Sequence, residues 1–461
     1  MDHRATLSTI YNAGRGIDRS VFSRLNRPPG LPALPRTRAS GSPPTPSNEL
    51  HNYRMMRGDS IAMGIINSVG PFLPVFIVRL GGSAFEVSLL TAIPAMSGFL
   101  LALPVGQFLQ GKPRIVPWYS GSRMVAHLSY AVAALVVLIA PRQVVVPALL
   151  VVWAIAAVPS TLGMVAFPIV MDGAAGARGR YELMSRRWAI MGLTTAITVA
   201  LIGQLLDRLP FPANYQIIFV GFSIAGLVSY RFSRQFRVPE HAPQPRETGG
   251  RRFGRLREMI QTVRAQPAFL RYSVRQLVYV VGTRFAVPLI PLYYVREVGA
   301  TDAWIGIIAT CQALALLIGY QLWRRLSVAR GRTLVLLVTL FVSALYPAAL
   351  SFADDLVVVA ALGAIAAVFS AGVDLALFDE LMKRIPRPYG VTFTSIDTTL
   401  VNGASIAAPL LGATLAVILG IATALQLASV IGLFGAVLFA LDARRGTTRV
   451  VNPPEATSSP A

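Results

Sequence analysis

The chain has 461 residues, of which 54% are hydrophobic and only 14% charged; a soluble chain carries roughly a quarter charged residues, so an assembly of soluble domains is excluded. The net charge of +21 does not indicate nucleic acid, because the basic residues border apolar runs, where they set topology and meet anionic headgroups. A single cysteine, Cys311, excludes an intrachain disulfide and a cysteine-based metal site.

Residues 1–58 are basic, poor in acids and broken by Pro, Gly and Ser. They contain no uninterrupted apolar stretch of signal-peptide length and are predicted to be a disordered cytoplasmic tail. A crossing helix needs about 20 mostly apolar residues, and twelve stretches qualify. In the first half these are Ile61–Val78, Phe85–Phe108, Val116–Ala140, Val144–Val170, Trp188–Leu206 and Tyr215–Tyr230. In the second half they are Phe269–Val295, Ala303–Trp323, Leu334–Phe352, Leu356–Phe378, Thr392–Leu415 and Ala422–Leu441. Prolines inside them, among them Pro71, Pro94, Pro159, Pro288 and Pro409, predict kinks. The fold class is therefore an all-α membrane protein of twelve spans in two six-helix bundles.

Of the 42 basic residues, 34 lie in the tails and in the loops after even-numbered spans, and only Arg79, Arg142, Arg208 and Arg296 lie in the opposite loops. This bias predicts that both termini are cytoplasmic in a multi-pass protein of the cytoplasmic membrane. The bundles are predicted over residues 59–235 and 267–445, with a cytoplasmic loop over 236–266 and a disordered tail over 446–461. Within the loop, Phe253, Leu256, Ile260 and Val263 share one helical face among arginines, the pattern of a basic amphipathic helix on a lipid surface. Met171-Asp172 through Gly203 and Phe378-Asp379 through Gly412 echo each other: an acid, a basic loop, a Ser/Thr-containing helix and a glycine. That echo is consistent with internal duplication.

Twelve spans, cytoplasmic termini, two six-helix halves and a basic central loop resemble the major facilitator superfamily over residues 59–445. The family's loop between spans 2 and 3, Gly-x-x-x-Asp-Arg-x-Gly-Arg-Arg/Lys, corresponds here to Gly106 through Arg114, with Gln110 where the carboxylate belongs. The second-half counterpart, from Gly319 to Arg332, also lacks the acid. The resemblance therefore implies an altered charge latch in this loop, with Gln110 and Arg114 as gating positions. The helix-5 motif of drug/proton antiporters is absent, since no proline separates Gly192 from Gly203.

Charges inside hydrocarbon cost at least about 2.5–3.5 kcal/mol on insertion scales, so each implies a cavity or a partner. Arg284 in span 7 and Asp397 in span 11 fall near mid-span, and two readings stand. In one, Arg284 attracts an anionic substrate group while Asp397 takes up a coupling proton; in the other, the two form a permanent interhelical ion pair. Arg275 in span 7 is a coupling candidate or an interface contact. The amides of Asn67 and Asn402 suit a substrate or a neighbouring helix equally. Asp374, Asp379 and Glu380 toward the end of span 10 are gating candidates opposite Lys383, Arg384 or Arg187, or else simply solvated helix-end charges. Asp59 and Arg271 near span ends read as snorkelling, as does Arg123 in span 3. Tyr293 and Tyr294 read as an aromatic belt or a pocket lining.

No phosphate-binding Gly-x-x-x-x-Gly-Lys-Ser/Thr loop, catalytic constellation or cofactor motif is found. The sequence reads as a secondary transporter, not an enzyme. It is expected to move a small organic solute by alternating access, with protons as a candidate coupling ion, lipids as surroundings and a monomeric state. A transport-inactive sensor or scaffold and a lipid-modifying membrane enzyme are the rival readings.

Overall fold

A computed structural model describes residues 46–239, 266–384 and 390–450. The tail through residue 45, the amphipathic segment of the central loop, the Pro386–Pro388 loop and the last residues lie outside the described residues. Among the described residues twelve helices are long and apolar enough to cross a membrane. In chain order, spans 1–6 are Asn48–Arg79, Ala84–Ala102, Val116–Ile139, Val145–Ala175, Leu183–Arg208 and Ala213–Ser233. Spans 7–12 are Pro267–Glu297, Asp302–Arg330, Arg332–Leu350, Leu356–Leu381, Ile396–Leu419 and Ile421–Ala443. An even number of crossings brings the start of span 1 and the end of span 12 to one face, here called the terminal face.

Two boundaries differ from the sequence expectation. Span 1 is helical from Pro46, well before Ile61, because its polar first turns are held by protein. Asn52 Nδ2 donates to the Ala174 carbonyl at 3.1 Å and the Arg237 carbonyl at 2.9 Å, and the Arg237 N–H donates back to Asn52 Oδ1 at 2.8 Å. The segment expected to be a loop between spans 4 and 5 is helical, the assignment running unbroken from Val145 to Arg208. Arg187 consequently sits on a helix rather than in a loop.

The halves repeat one another. Pro71-x-x-Pro74-x-x-x-x-Arg79 at the end of span 1 recurs as Pro288-x-x-Pro291-x-x-x-x-Arg296 at the end of span 7. After the arginine, a glycine with positive φ (Gly81, +88°; Gly299, +72°) turns the chain, a conformation that favours glycine. A hydroxyl cap then starts the next span: Ser83 accepts from the Glu86 N–H, and Thr301 accepts from the Trp304 N–H. The second copy is one residue longer between arginine and glycine, and the backbone absorbs it in a π-helical turn over Tyr293–Glu297. Where Leu80 N–H bonds the Phe76 carbonyl and Gly82 N–H the Ile77 carbonyl, Val298 N–H bonds Tyr293 and Ala300 N–H bonds Tyr294. Each second-half bond reaches one residue farther, so the donors that follow keep their places.

Packing obeys the same repeat. Spans 3 and 6 pair as do 9 and 12, spans 1 and 6 as do 7 and 12, and span 2 packs on span 4 as span 8 packs on span 10. The halves meet where span 2 touches span 11 and span 5 touches span 8. At the second contact a Cβ on Gly203 would stand 3.0 Å from both the Asp302 carbonyl oxygen and Gly306 Cα. Small residues allow this approach, since lipid supplies no hydrophobic drive between helices and close packing must. The outward stripe is apolar: Leu193, Ile197, Leu201 and Leu205 recur every fourth residue on span 5 and are all exposed, as a lipid-facing surface requires.

Candidate functional site

In the second half, Arg284 on span 7 and Asp374 on span 10 are both exposed at the level of the spans. Arg284 lies within electrostatic reach of Asp374, whose carboxylate accepts a 2.9 Å hydrogen bond from Tyr320 on span 8. A helical side chain leans toward its own N-terminus, which brings the Arg284 guanidinium down toward the level of Asp374. At the spacing set by Pro71 and Pro288, Asn67 of span 1 corresponds to Arg284; it too is exposed, its Nδ2 3.3 Å from Met191 Sδ. The two mid-span positions chosen on polarity alone are thus one repeat position seen twice. Asn402 is half-buried on span 11.

The Arg284–Asp397 ion pair is not formed. Asp397 is buried at the terminal-face end of span 11 and faces Gln276 Nε2 at 3.5 Å, while Arg284 lies two helical turns farther along span 7. Two turns are about 11 Å, more than the side chains close.

Asp59 and Arg123 do not snorkel, and Arg187 does not pair with Asp374 or Asp379. These three form one buried cluster in the first half. Asp59 is fully buried and receives Arg187 Nη1 at 2.6 Å, Arg123 Nη2 at 3.0 Å and Ser229 Oγ at 2.7 Å. Arg123 also donates to Tyr119 Oη at 2.6 Å, and the Arg187 guanidinium lies over the Phe167 ring at 5.4 Å. Spans 1, 3, 5 and 6 are thereby tied together. By the same repeat spacing Asp59 corresponds to Gln276, so Asp59–Arg187 and Gln276–Asp397 join equivalent helices (spans 1 and 5, spans 7 and 11) with different chemistry.

The remaining ionic candidates gather at the terminal-face end of the second half. Arg275 makes a bidentate pair with Asp442 on the last helix, at 2.5 and 2.8 Å, and Arg384 Nη2 reaches the same carboxylate at 3.2 Å. Asp379 pairs with Arg332 at 2.6 Å and Lys383 at 2.7 Å, and Glu380 with Lys383 and Arg384. All of these contacts lie within the second half. Tyr293 and Tyr294 are buried rather than placed in a belt; Tyr294 Oη lies 2.8 Å from Tyr346 Oη.

In the altered loop between spans 2 and 3, Gln110 and Arg114 are exposed. Lys112 Nζ lies 4.7 Å from the Phe108 ring centre and 5.0 Å from that of Trp118. Both rings are within cation–π reach of the Lys112 ammonium.

On the face opposite the termini, residues that the sequence reading counted only as loop charges join the halves. Arg79 Nη2 donates to the Ala300 carbonyl at 3.1 Å, and Arg296 Nη2 donates to the Gly82 carbonyl at 2.6 Å. Gly82 and Ala300 each precede the helix-capping hydroxyl, so the two bonds are the same bond made reciprocally. The first is reinforced: Arg79 Nε also reaches Asp302 Oδ1 at 3.1 Å, which accepts Tyr215 Oη at 2.7 Å. Ala303 N–H donates to Asp207 at 3.2 Å. On this face the two halves are therefore bonded to each other from both sides. The recurring Pro-x-x-Pro-x-x-x-x-Arg was the sequence signal that could have found it.

Among the described residues there is no group of three or more His, Cys, Asp or Glu side chains able to hold a metal ion.

Residues 272–460 match the family model described as Major Facilitator Superfamily. No curated protein matches the chain in sequence. Among solved structures, a mutant of the nucleoside transporter NupG superposes with a TM-score of 0.66 at 8% identity, covering 85% of this chain and 99% of that one. A bacterial homologue of the iron transporter ferroportin in an inward-facing state gives 0.65 at 15% identity, covering 86% and 98%. A bacterial homologue of the human lysosomal transporter Spinster, inward-facing and unoccupied, gives 0.59 at 13% identity, covering 86% and 96%. The chain is therefore similar to the major facilitator superfamily by sequence over residues 272–460, and its described spans share the fold of these solved transporters.

Proposed function

We propose that the protein is a secondary active transporter that moves a small organic solute bearing an anionic group across the cytoplasmic membrane. The observation that carries this reading is the exposed Arg284 and Asp374, the latter bonded by half-buried Tyr320, set at span level in a protein whose halves are tied together on the opposite face by Arg79 and Arg296. A guanidinium and a carboxylate exposed to hydrocarbon would each cost several kcal/mol, so both face a water-filled path. Arg284 offers a planar fork of donors suited to a carboxylate or phosphate and repels a free metal cation. Asn67, at the equivalent place in the first half, adds a neutral donor and acceptor. The 34-to-4 distribution of basic residues supports a cytoplasmic terminal face, and the path then opens inward.

Alternating access requires the bonded face to release while the other closes, the halves rocking about the solute. Asp397 is the candidate for proton coupling, because it is buried beside Gln276 rather than beside a guanidinium. The test is flux in proteoliposomes across a panel of organic anions, cations and neutral solutes. An Arg284→Ala protein that folds normally should lose at least about tenfold in uptake of the anionic solutes, the worth of one charge-assisted contact. Equal flux of wild type and variant across the whole panel would remove Arg284 from the path.

A further inference from the structure

The contact between spans 7 and 11 contains buried oxygens that the two helices do not satisfy. Phe269, Ser273 and Gln276, at i, i+4 and i+7, share one face of span 7 and are all buried. That face is turned to span 11: the Phe269 ring meets Phe393 edge-on with centres 4.7 Å apart, and Gln276 Nε2 faces Asp397 Oδ2 at 3.5 Å. Ser273 lies between these two contacts. It is 4% exposed, and Gln276 and Asp397 are each 8% exposed. Among the described residues Ser273 Oγ and Gln276 Oε1 have no hydrogen-bond partner. An unpaired buried oxygen bears its full desolvation penalty, so two of them beside a buried carboxylate call for a ligand. The charged and titratable neighbours are engaged. Arg275 and Arg384 hold Asp442, Glu380 pairs with Lys383 and Arg384, and the Tyr272 hydroxyl donates to the Leu377 carbonyl at 2.9 Å. The first half shows what such a contact takes. There Asp59 stands at the position of Gln276, and span 5 meets it with the Arg187 guanidinium at 2.6 Å. In the second half the carboxylate is on span 11, and span 7 offers it oxygens in place of a cation.

We infer that Asp397, Gln276 Oε1 and Ser273 Oγ form a binding site for one Na+ ion between spans 7 and 11. The inference rests on the reading of Asp397 as the coupling residue for its bearing on transport, though not for binding itself. Hard cations take oxygen ligands. One carboxylate balances one positive charge, and a divalent ion would leave a second charge unbalanced in a buried place. The Gln276 amide carries an acceptor and a donor on one planar group. Turned end for end, it sets Oε1 against the carboxylate, and two such oxygens repel unless a cation lies between them. The helices are close on both sides of the site. On one side stand the Phe269 and Phe393 rings, and farther along a Cβ on Gly412 would stand 2.3 Å from the Phe285 carbonyl oxygen. That room favours Na+ over the larger K+. Na+ and a proton exclude one another at a single carboxylate, so each occupies the site in the other's absence.

The test is equilibrium binding of radioactive Na+ to the purified full chain by scintillation proximity, without solute, at one pH and with choline chloride holding the ionic strength. Wild type should bind saturably, and unlabelled Na+ should compete at least about tenfold better than K+. Asp397→Asn should abolish binding. Ser273→Ala and Gln276→Ala should each weaken it by about tenfold or more, the scale of one lost group at a metal site. Ser273→Ala removes a lone hydroxyl and guards against misfolding of the other two variants. Ser405→Ala, which removes a hydroxyl bonded to the Val401 carbonyl of its own span, should bind as wild type. No saturable binding by wild type, binding by Asp397→Asn equal to wild type, or unchanged affinity in both Ser273→Ala and Gln276→Ala overturns the inference. Competition by K+ as strong as by Na+ overturns it too. Flux separates this failure from that of the coupling reading. A wild type that binds no Na+ while its solute flux answers a pH gradient leaves Asp397 a proton site and ends the Na+ site. Asp397-dependent Na+ binding with flux indifferent to Na+ and pH gradients keeps the site and removes Asp397 from coupling.

Discussion

Asp59→Asn is the sharpest test of the buried cluster in the first half. The substitution keeps the shape of the side chain but leaves the Arg123 and Arg187 guanidiniums facing a neutral group in a fully buried site. Breaking a buried pair by removing one partner costs about 3–5 kcal/mol. At roughly 2–4 °C per kcal/mol for a unit of 150–250 residues, the apparent Tm should fall by about 6–20 °C if the first bundle melts together. Thermal unfolding in detergent, followed by loss of the monodisperse size-exclusion peak, measures this. Adding Arg187→Gln returns the buried charge to its original balance, so the double variant should be more stable than the sum of the single effects predicts, by at least about 1 kcal/mol of coupling. A Tm for Asp59→Asn within error of wild type, or strictly additive effects, would refute the view that Asp59 holds both arginines in place.

Three further outcomes follow from the geometry. With Cys311→Ser as background and spin labels at Arg142 and Asp355, one in each half on the face opposite the termini, Arg79→Gln/Arg296→Gln should shift the distance distribution to longer values; an unchanged distribution would show that these bonds do not hold the halves together there. Gly203→Leu should produce the same shift without touching a charge, because its side chain meets the backbone of Asp302 and Gly306, and a wild-type distribution would mean that spans 5 and 8 can yield there. Asp397→Asn should abolish the response of solute flux to an imposed pH gradient while leaving downhill exchange intact; a wild-type response would end its proposed role in coupling.

The twelve-span architecture was legible because hydrocarbon imposes it residue by residue: long apolar runs and few charges leave little else for the chain to do. The start of span 1 was not, since Asn52, Met56 and Asp59 are buried against protein rather than lipid, and hydropathy does not distinguish a polar tail from a polar helix packed in a bundle. The site was readable in part. Arg284 and Asn67 stood out as mid-span polar groups, and Asp374 as an intramembrane acid. Their partners did not follow, because partner choice depends on helix rotation and on the reach of long side chains. Arg284 and Asp397 looked like complementary charges, yet they lie at different depths. Arg187 looked like one more arginine in a basic loop, and its burial came only with the helix that carries it.

The two arginine bonds on the face opposite the termini are reciprocal in geometry but unequal in strength. Arg79 holds a carboxylate as well as a carbonyl, whereas Arg296 holds a carbonyl alone among the contacts described. Parting of the halves should therefore be sequential: the Arg296 side slips first and admits water, and the Arg79–Asp302–Tyr215 side lets go only afterwards. The protein would yawn open from one corner instead of lifting evenly.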